Sequence, residues 1–161
     1  MPEPNVFSVT PAGSGGDNSS EDTLTALRRE TENYLETVRE LERKRKPGEG
    51  IFGMKGGPAD NPCHDRYSVT VNSLLTAFAE QEPASEEVRR VLEEIYTAPK
   101  KHRNPACAYW MLIAVQRHTL PLIDRLSRED AGAVYERFVR DTPRHERLPV
   151  QREILKKLIQ R

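Results

Sequence analysis

Apolar side chains recur every three or four positions along most of the chain, which is the spacing of α-helices that turn one face toward a core. The first such stripe consists of Leu24, Leu27, Thr31, Tyr34, Val38 and Leu41. Ser20 precedes it as a candidate N-cap, and the stretch ends in the sequence RKRKPGEG, where cations are followed by a Pro–Gly stop. The pattern predicts a helix from about Asp22 to Lys44.

The intervals in this first stripe alternate between three and four residues, which is also the pattern of a coiled-coil heptad. A coiled coil normally sustains this pattern over at least about three to four heptads. We therefore expect the stripe to pack within its own domain, and a homodimer through residues 22–44 is the alternative.

The rest of the chain predicts further amphipathic helices that begin at capping residues. Starts are expected at Asn61–Pro62, Ser85, Asn104–Pro105 and Ser127, because Asn and Ser are good N-caps and Pro suits the first helical position. The predicted inward stripes are Tyr67, Val71, Leu74, Leu75 and Phe78; Val88, Val91, Leu92, Ile95 and Tyr96; Val134, Tyr135, Phe138 and Val139; and Val150, Ile154, Leu155 and Leu158.

One segment is apolar on most sides, the sequence ACAYWMLIAVQRH over residues 106–118. A helix without a polar face is typical of the centre of a fold, so we expect this helix to be the central buried one. Pro121 follows closely, and since proline removes a helical hydrogen bond, the helix is predicted to break at HTLPLIDRL.

Capping and proline positions recur at a nearly constant offset. Asn61–Pro62 is followed 43 residues later by Asn104–Pro105, and Pro105 is followed 44 residues later by Pro149. The implied unit is a long helix, a turn, a second helix and a connector that contains proline and basic residues. Its length and layout resemble HEAT-like helical hairpins. Chance recurrence is the alternative, because capping residues come from a short list.

These patterns together predict an all-α protein with about six helices. We expect a bundle or a short stack of HEAT-like helical hairpins, with a disordered N-terminal tail. The predicted segments are a tail over residues 1–19, an N-terminal amphipathic helix over 20–46, a Gly-rich linker over 47–60 and a helical-hairpin domain over 61–161. The tail assignment follows from its Pro, Gly, Ser and Asn content, which disfavours ordering.

The composition of the chain indicates the cellular environment of the protein. The chain has 25 basic and 25 acidic residues, so there is no overall field to attract nucleic acid or an anionic membrane. No apolar run is long enough to span a bilayer, no secretory leader is recognised, and two cysteines make no disulfide framework. We expect a cytoplasmic protein with reduced thiols that does not associate with membranes.

The Gly-rich sequence GIFGMKGGPADNPCHDRY, residues 50–67, is one candidate for chemistry. Lys55, Cys63, His64 and Arg66 lie beside glycines and a helix start, so a small-anion, metal-binding or redox-sensitive site is one interpretation. Neither the spacing of a P-loop nor a C-x-x-C pair is present. We favour a simple connector here and predict no metal and no cofactor.

Two basic connectors are the other candidate. The predicted helix that starts at Asn104–Pro105 is preceded by Lys100, Lys101, His102 and Arg103. The last predicted helix, at the same point of the following repeat, is preceded by Arg144 and Arg147. If the repeat is real, both connectors lie on one edge. Since no catalytic motif of a hydrolase or metalloenzyme is present, we expect a non-catalytic protein. It would bind a protein partner, rather than nucleic acid, through a helical face and this basic edge.

Overall fold

A computed structural model describes residues 15–44, 62–101 and 105–161 of the chain. Every regular element in these ranges is helical, so the all-α prediction is confirmed. Short 3-10 helices follow the third and fifth α-helices, at Ala98–Lys101 and Arg144–Glu146. The six α-helices are α1 (Gly15–Arg43), α2 (Pro62–Glu80), α3 (Ser85–Thr97), α4 (Pro105–Ile123), α5 (Arg128–Asp141) and α6 (Pro149–Ile159).

The helices form two layers. In one layer α1 packs on α3 and α3 packs on α5, and in the other α2 packs on α4 and α4 packs on α6. Across the layers α1 packs on α2, α3 on α4, and α5 on α6, which makes three stacked helical pairs. The prediction of a bundle or short stack of hairpins is therefore confirmed.

The pairing differs by one helix from the unit expected from the sequence offset. That unit joined α2 to α3 and α4 to α5, which are connected by the short turns at 81–84 and 124–127. In the structure α2 and α3 do not pack extensively on each other, and neither do α4 and α5; α1 packs on α2, α3 on α4, and α5 on α6 instead. A sequence offset gives a period but not the packing partner, and α1, which the predicted unit left out, is the partner of α2.

Two ion pairs show that α1 and α3 run in the same direction. Glu21 near the start of α1 binds Arg90 (3.0 Å), and Arg28, two turns later, binds Glu94 (2.9 Å). The residue numbers rise together along both helices, so the two are parallel.

α3 and α5 are parallel as well. Ser85 and Asp130 are hydrogen-bonded at the starts of the two helices, and the Tyr96 and Phe138 rings meet near their ends, with centroids 5.5 Å apart. The 3-10 helices that follow α3 and α5 therefore lie at the same end of the layer.

The core consists mainly of the predicted stripes. All five stripe residues of α3 and all four of α6 are buried, and α1 contributes its stripe to the same apolar cluster as the other helices. The stripe on which a homodimer through residues 22–44 depended thus packs inside the chain, against α2 and α3. Four predicted core residues are only half-buried: Leu41, Leu74, Tyr135 and Val139.

The structure corrects one predicted helix boundary and confirms another. Ser20 is not an N-cap, because α1 begins earlier, at Gly15. The predicted break in HTLPLIDRL is confirmed, because α4 ends at Ile123, two residues after Pro121. Pro121 itself is exposed and lies in the last turn, where the helix loses one hydrogen bond, to the carbonyl of Arg117.

α4 occupies the predicted central position, with α2, α3 and α6 packed around it. Met111, Leu112 and Val115 are fully buried, and among the described side chains of α4, those from residue 109 onward, only Arg117 and Pro121 are exposed. Within the three described ranges, no helix has both the length and the apolar character needed to cross a bilayer.

Candidate functional site

The outer face of α6 carries the candidate site. Val150, Ile154 and Leu158 turn inward and fix the rotation of the helix. At its start the backbone N–H of Leu148 donates to Gln151 Oε1 (2.7 Å), which closes the first turn after Pro149. The positions on the other side, which include Arg152, Lys156, Ile159 and Gln160, are exposed.

The connector from α5 to α6 brings two more cations to this face. Arg147 Nε donates to the carbonyl of buried Thr142 (3.0 Å), and its backbone N–H donates to the carbonyl of Arg144 (3.3 Å). These bonds hold the 3-10 turn closed and place the Arg147 guanidinium against the end of α5. Arg144 remains exposed.

A groove of about 590 Å³ lies between α5 and α6, and we call it the basic groove. Its lining has four cationic side chains and three apolar ones, and none of the described side chains in it is a carboxylate. The lining residues are Tyr135, Arg144, Arg147, Arg152, Leu155, Lys156, Ile159 and Gln160. Ile159 is 64% exposed, an unusual degree for a large apolar residue in this fold.

The charges in the basic groove are not neutralised within the described part of the chain. Lys157, the residue after Lys156, forms an ion pair with Asp124 in the turn after α4 (3.3 Å). Arg144, Arg152 and Lys156 make no ion pair with any described side chain. Several uncompensated cations around one groove create a local positive potential, although the chain as a whole has no net charge.

A second groove of about 450 Å³ lies on the other side of α6, against α4. We call it the α4/α6 groove. Tyr109, Ile113 and Gln116 line it from α4, and Pro149, Val150, Arg152, Glu153 and Lys156 line it from α6. Arg152 and Lys156 therefore border both grooves.

The predicted basic edge is only partly covered by the structure. Arg144 and Arg147 lie together at the basic groove, as described above. Lys100 and Lys101 belong to the 3-10 helix after α3, but their side chains lie outside the described residues, as do His102 and Arg103. Their participation stays a prediction.

Two of the four cations in the basic groove, Arg152 and Lys156, were not among the residues predicted from the sequence. Arg152 and Lys156 are four residues apart on α6, and this spacing signals a shared helix face. The groove itself was not predictable from that spacing, because its other wall comes from Tyr135 and the α5–α6 connector.

The alternative site at residues 50–67 lies partly outside the described residues. Lys55 and the side chain of Cys63 belong to that part. His64 is buried, with its ring 5.8 Å from Trp110 and 6.3 Å from Tyr34, centroid to centroid. Burial lowers the pKa of His64, and the nearby Asp65 partly opposes this effect.

Arg66, another member of that predicted site, faces the surface. It forms an ion pair with Glu30 (3.1 Å) across the α1–α2 interface, and this pairing raises the pKa of the guanidinium. His64 and Arg66 are therefore placed in different environments, one in the core and one on the surface. Among the described residues, no three His, Cys, Asp or Glu side chains are grouped in a way that suits a metal ion.

No protein-family profile, no curated protein and no solved structure matches the chain.

Proposed function

We propose that this chain is a non-catalytic helical protein that binds an acidic segment of another protein in the basic groove. The observation that carries the proposal is the set of four cations around that groove, with no described carboxylate among them. Tyr135, Leu155 and Ile159 lie between the cations and supply apolar contact area. Aromatic, Arg and apolar groups in one concavity are the composition typical of protein interfaces.

The shape of the groove favours a peptide segment over nucleic acid. The cations are confined to one groove between two short helices, whereas binding to a phosphate backbone draws on an extended positive surface. Three of the four cations are guanidinium groups, whose paired N–H donors match a carboxylate. A segment with several Asp or Glu residues fits this arrangement.

The proposal extends the basic edge predicted from the sequence. The 3-10 helix Ala98–Lys101 lies at the same end of the layer as the connector with Arg144 and Arg147. Lys100, Lys101, His102 and Arg103 would then lengthen the binding surface, and this remains a prediction. The cytoplasmic location and the alternative small-anion, metal or redox function at residues 50–67 also remain predictions.

Charge reversal tests the proposal directly. We would measure binding of a fluorescein-labelled peptide with four consecutive Glu residues by fluorescence anisotropy, at low salt and again at about 0.15 M salt. The variant R152E/K156E is expected to bind at least tenfold more weakly than the unmodified protein, and salt is expected to weaken the unmodified protein's binding.

The matched control is R39E/R125E, which changes the net charge equally at two exposed arginines on α1 and in the turn before α5. Neither arginine makes an ion pair with a described side chain. Retained binding by the control supports a local groove. Equal weakening by both double variants, or no binding by the unmodified protein, would overturn the proposal.

A further inference from the structure

We infer that the bound segment crosses α6 and places an apolar side chain in the α4/α6 groove, while its acidic residues lie in the basic groove. This inference rests on the proposed function and specifies its ligand. The partner segment would thus have two parts, an acidic block and a nearby apolar anchor.

The two grooves lie on either side of one ridge. Arg152 and Lys156 line both of them, so a chain leaving the basic groove between these two side chains enters the α4/α6 groove directly. A helix with its side chains is about 10 Å wide. An extended peptide advances about 3.3 Å per residue, so crossing α6 takes about three residues.

The lining of the α4/α6 groove suits an apolar side chain. Tyr109 and Ile113 on one wall are half-buried, and Val150 on the other wall is buried at its base. Tyr109 packs edge-on against Trp110, with ring centroids 5.0 Å apart. A wall held in this way loses little side-chain freedom when a ligand binds.

Charge determines which part of the segment lies in which groove. Glu153 lines the α4/α6 groove, whereas no described carboxylate lines the basic groove. The α4/α6 groove has Arg152 and Lys156 beside this one carboxylate, whereas the basic groove has four cations, so an acidic residue of the ligand is attracted more strongly to the basic groove. The acidic block and the apolar anchor therefore have separate preferred positions.

The test uses labelled peptides that share a block of four Glu residues. In one pair a Leu lies three residues before or after the block, and in the matched pair a Ser replaces that Leu. Either chain direction satisfies the geometry, so the Leu is tested on both sides of the Glu block. At least one of the two Leu peptides is expected to bind roughly tenfold more tightly than its Ser counterpart.

A substitution locates the gain. I113S is expected to remove the advantage of Leu over Ser and to leave binding of the Ser peptide unchanged. V69S is the control, because Val69 on α2 is an apolar residue that is 68% exposed and lines neither groove.

The outcomes separate this inference from the proposed function. The two-part ligand is overturned if the Leu and Ser peptides bind equally well, or if I113S does not reduce the advantage of Leu over Ser. In either case the proposed binding of an acidic segment is unaffected. If no Glu-containing peptide binds, the proposed function fails and the inference fails with it.

Discussion

The Ser85 hydroxyl at the start of α3 donates a hydrogen bond to Asp130 Oδ2 in the first turn of α5 (2.5 Å). It also accepts one from the backbone N–H of Ser127 (2.7 Å). Asp130 accepts a second bond from Arg89 Nε (3.1 Å), and its backbone N–H donates to Ser127 Oγ (3.1 Å). One network therefore caps α5 at Ser127 and joins its start to the start of the parallel helix α3.

The substitution Ser85→Ala is expected to lower the free energy of unfolding by about 1–2 kcal/mol, since a bond to a charged group is lost and its partners are left unsatisfied. Urea denaturation measures the change. The control is Ser73→Ala on α2, because that side chain is exposed and has no described partner. Equal losses in the two variants would contradict a role for the network.

Acid should weaken the same network. The Ser85 hydrogen bond, followed by those of Ser127 and Arg89, lowers the pKa of Asp130, and partial burial opposes them. A lowered pKa in the folded state means that the contribution is present above the unfolded value of about 3.9 and is lost as pH falls through the folded value. We expect Asp130→Asn to flatten the decline in unfolding free energy below about pH 4. Unchanged pH dependence in that variant would argue against it.

His64 should give a second pH dependence, at higher pH. Burial lowers its pKa, so the unfolded chain binds a proton more readily than the folded chain. Stability is therefore complete above the unfolded value of about 6.5 and falls as pH drops through the folded value. We expect His64→Phe, which keeps a ring between Tyr34 and Trp110, to remove this dependence. Thermal melts between about pH 7 and pH 5 measure it.

The charge of Asp65, which opposes the effect of burial on the pKa of His64, provides a second test. Asp65 raises the pKa of His64, so Asp65→Asn is expected to lower it further. The nuclear magnetic resonance titration of the His64 ring should then shift to lower pH. A shift to higher pH would contradict the electrostatic effect of Asp65 on the ring.

Replacing Pro121 should stabilise the fold. The helical backbone already exists at this position, so Pro121→Ala restores an N–H that can bond to the carbonyl of Arg117. The gain is offset in part because alanine gives the unfolded chain more freedom. We expect a net rise of about 1 kcal/mol, measured by chemical denaturation. A loss of stability would mean that the proline helps to terminate α4.

The burial of the α1 stripe predicts the outcome of Leu27→Ala. Leu27 is 2% exposed, so the variant should lose about 2–5 kcal/mol. If the stripe serves only the core of its own chain, the denaturation midpoint will not depend on protein concentration. A midpoint that rises with concentration, together with a dimer mass in analytical ultracentrifugation, would instead support the homodimer through residues 22–44.

Local rules predicted most of the helices because each signal lies within a few residues. Ser127 and Asp130 are three positions apart, and the hydrogen bond between them is the one expected of an N-cap. The same rules failed at the start of α1, where Ser20 is a good N-cap residue but the helix begins earlier, at Gly15.

The candidate site was harder to predict because it depends on contacts between distant parts of the chain. Arg144 and Arg147 stood out as cations in a connector, but Tyr135 was assigned to the core from its helical spacing. Only the packing of α5 against α6 shows that Tyr135 is half-buried and lines a groove. Hydrophobic periodicity identifies which face is apolar but not where two helices leave a gap.

The layered order of the helices has a consequence for how the protein opens. The α3–α4 pair is covered on both sides, by α1 and α2 on one and by α5 and α6 on the other, while each outer pair has a neighbour on one side only. Amide hydrogens of α3 and α4 should exchange with deuterium most slowly, and those of α6 should exchange early through local opening. The groove walls on α6 would then belong to the least stable part of the stack. A segment bound there would slow hydrogen exchange most in α6.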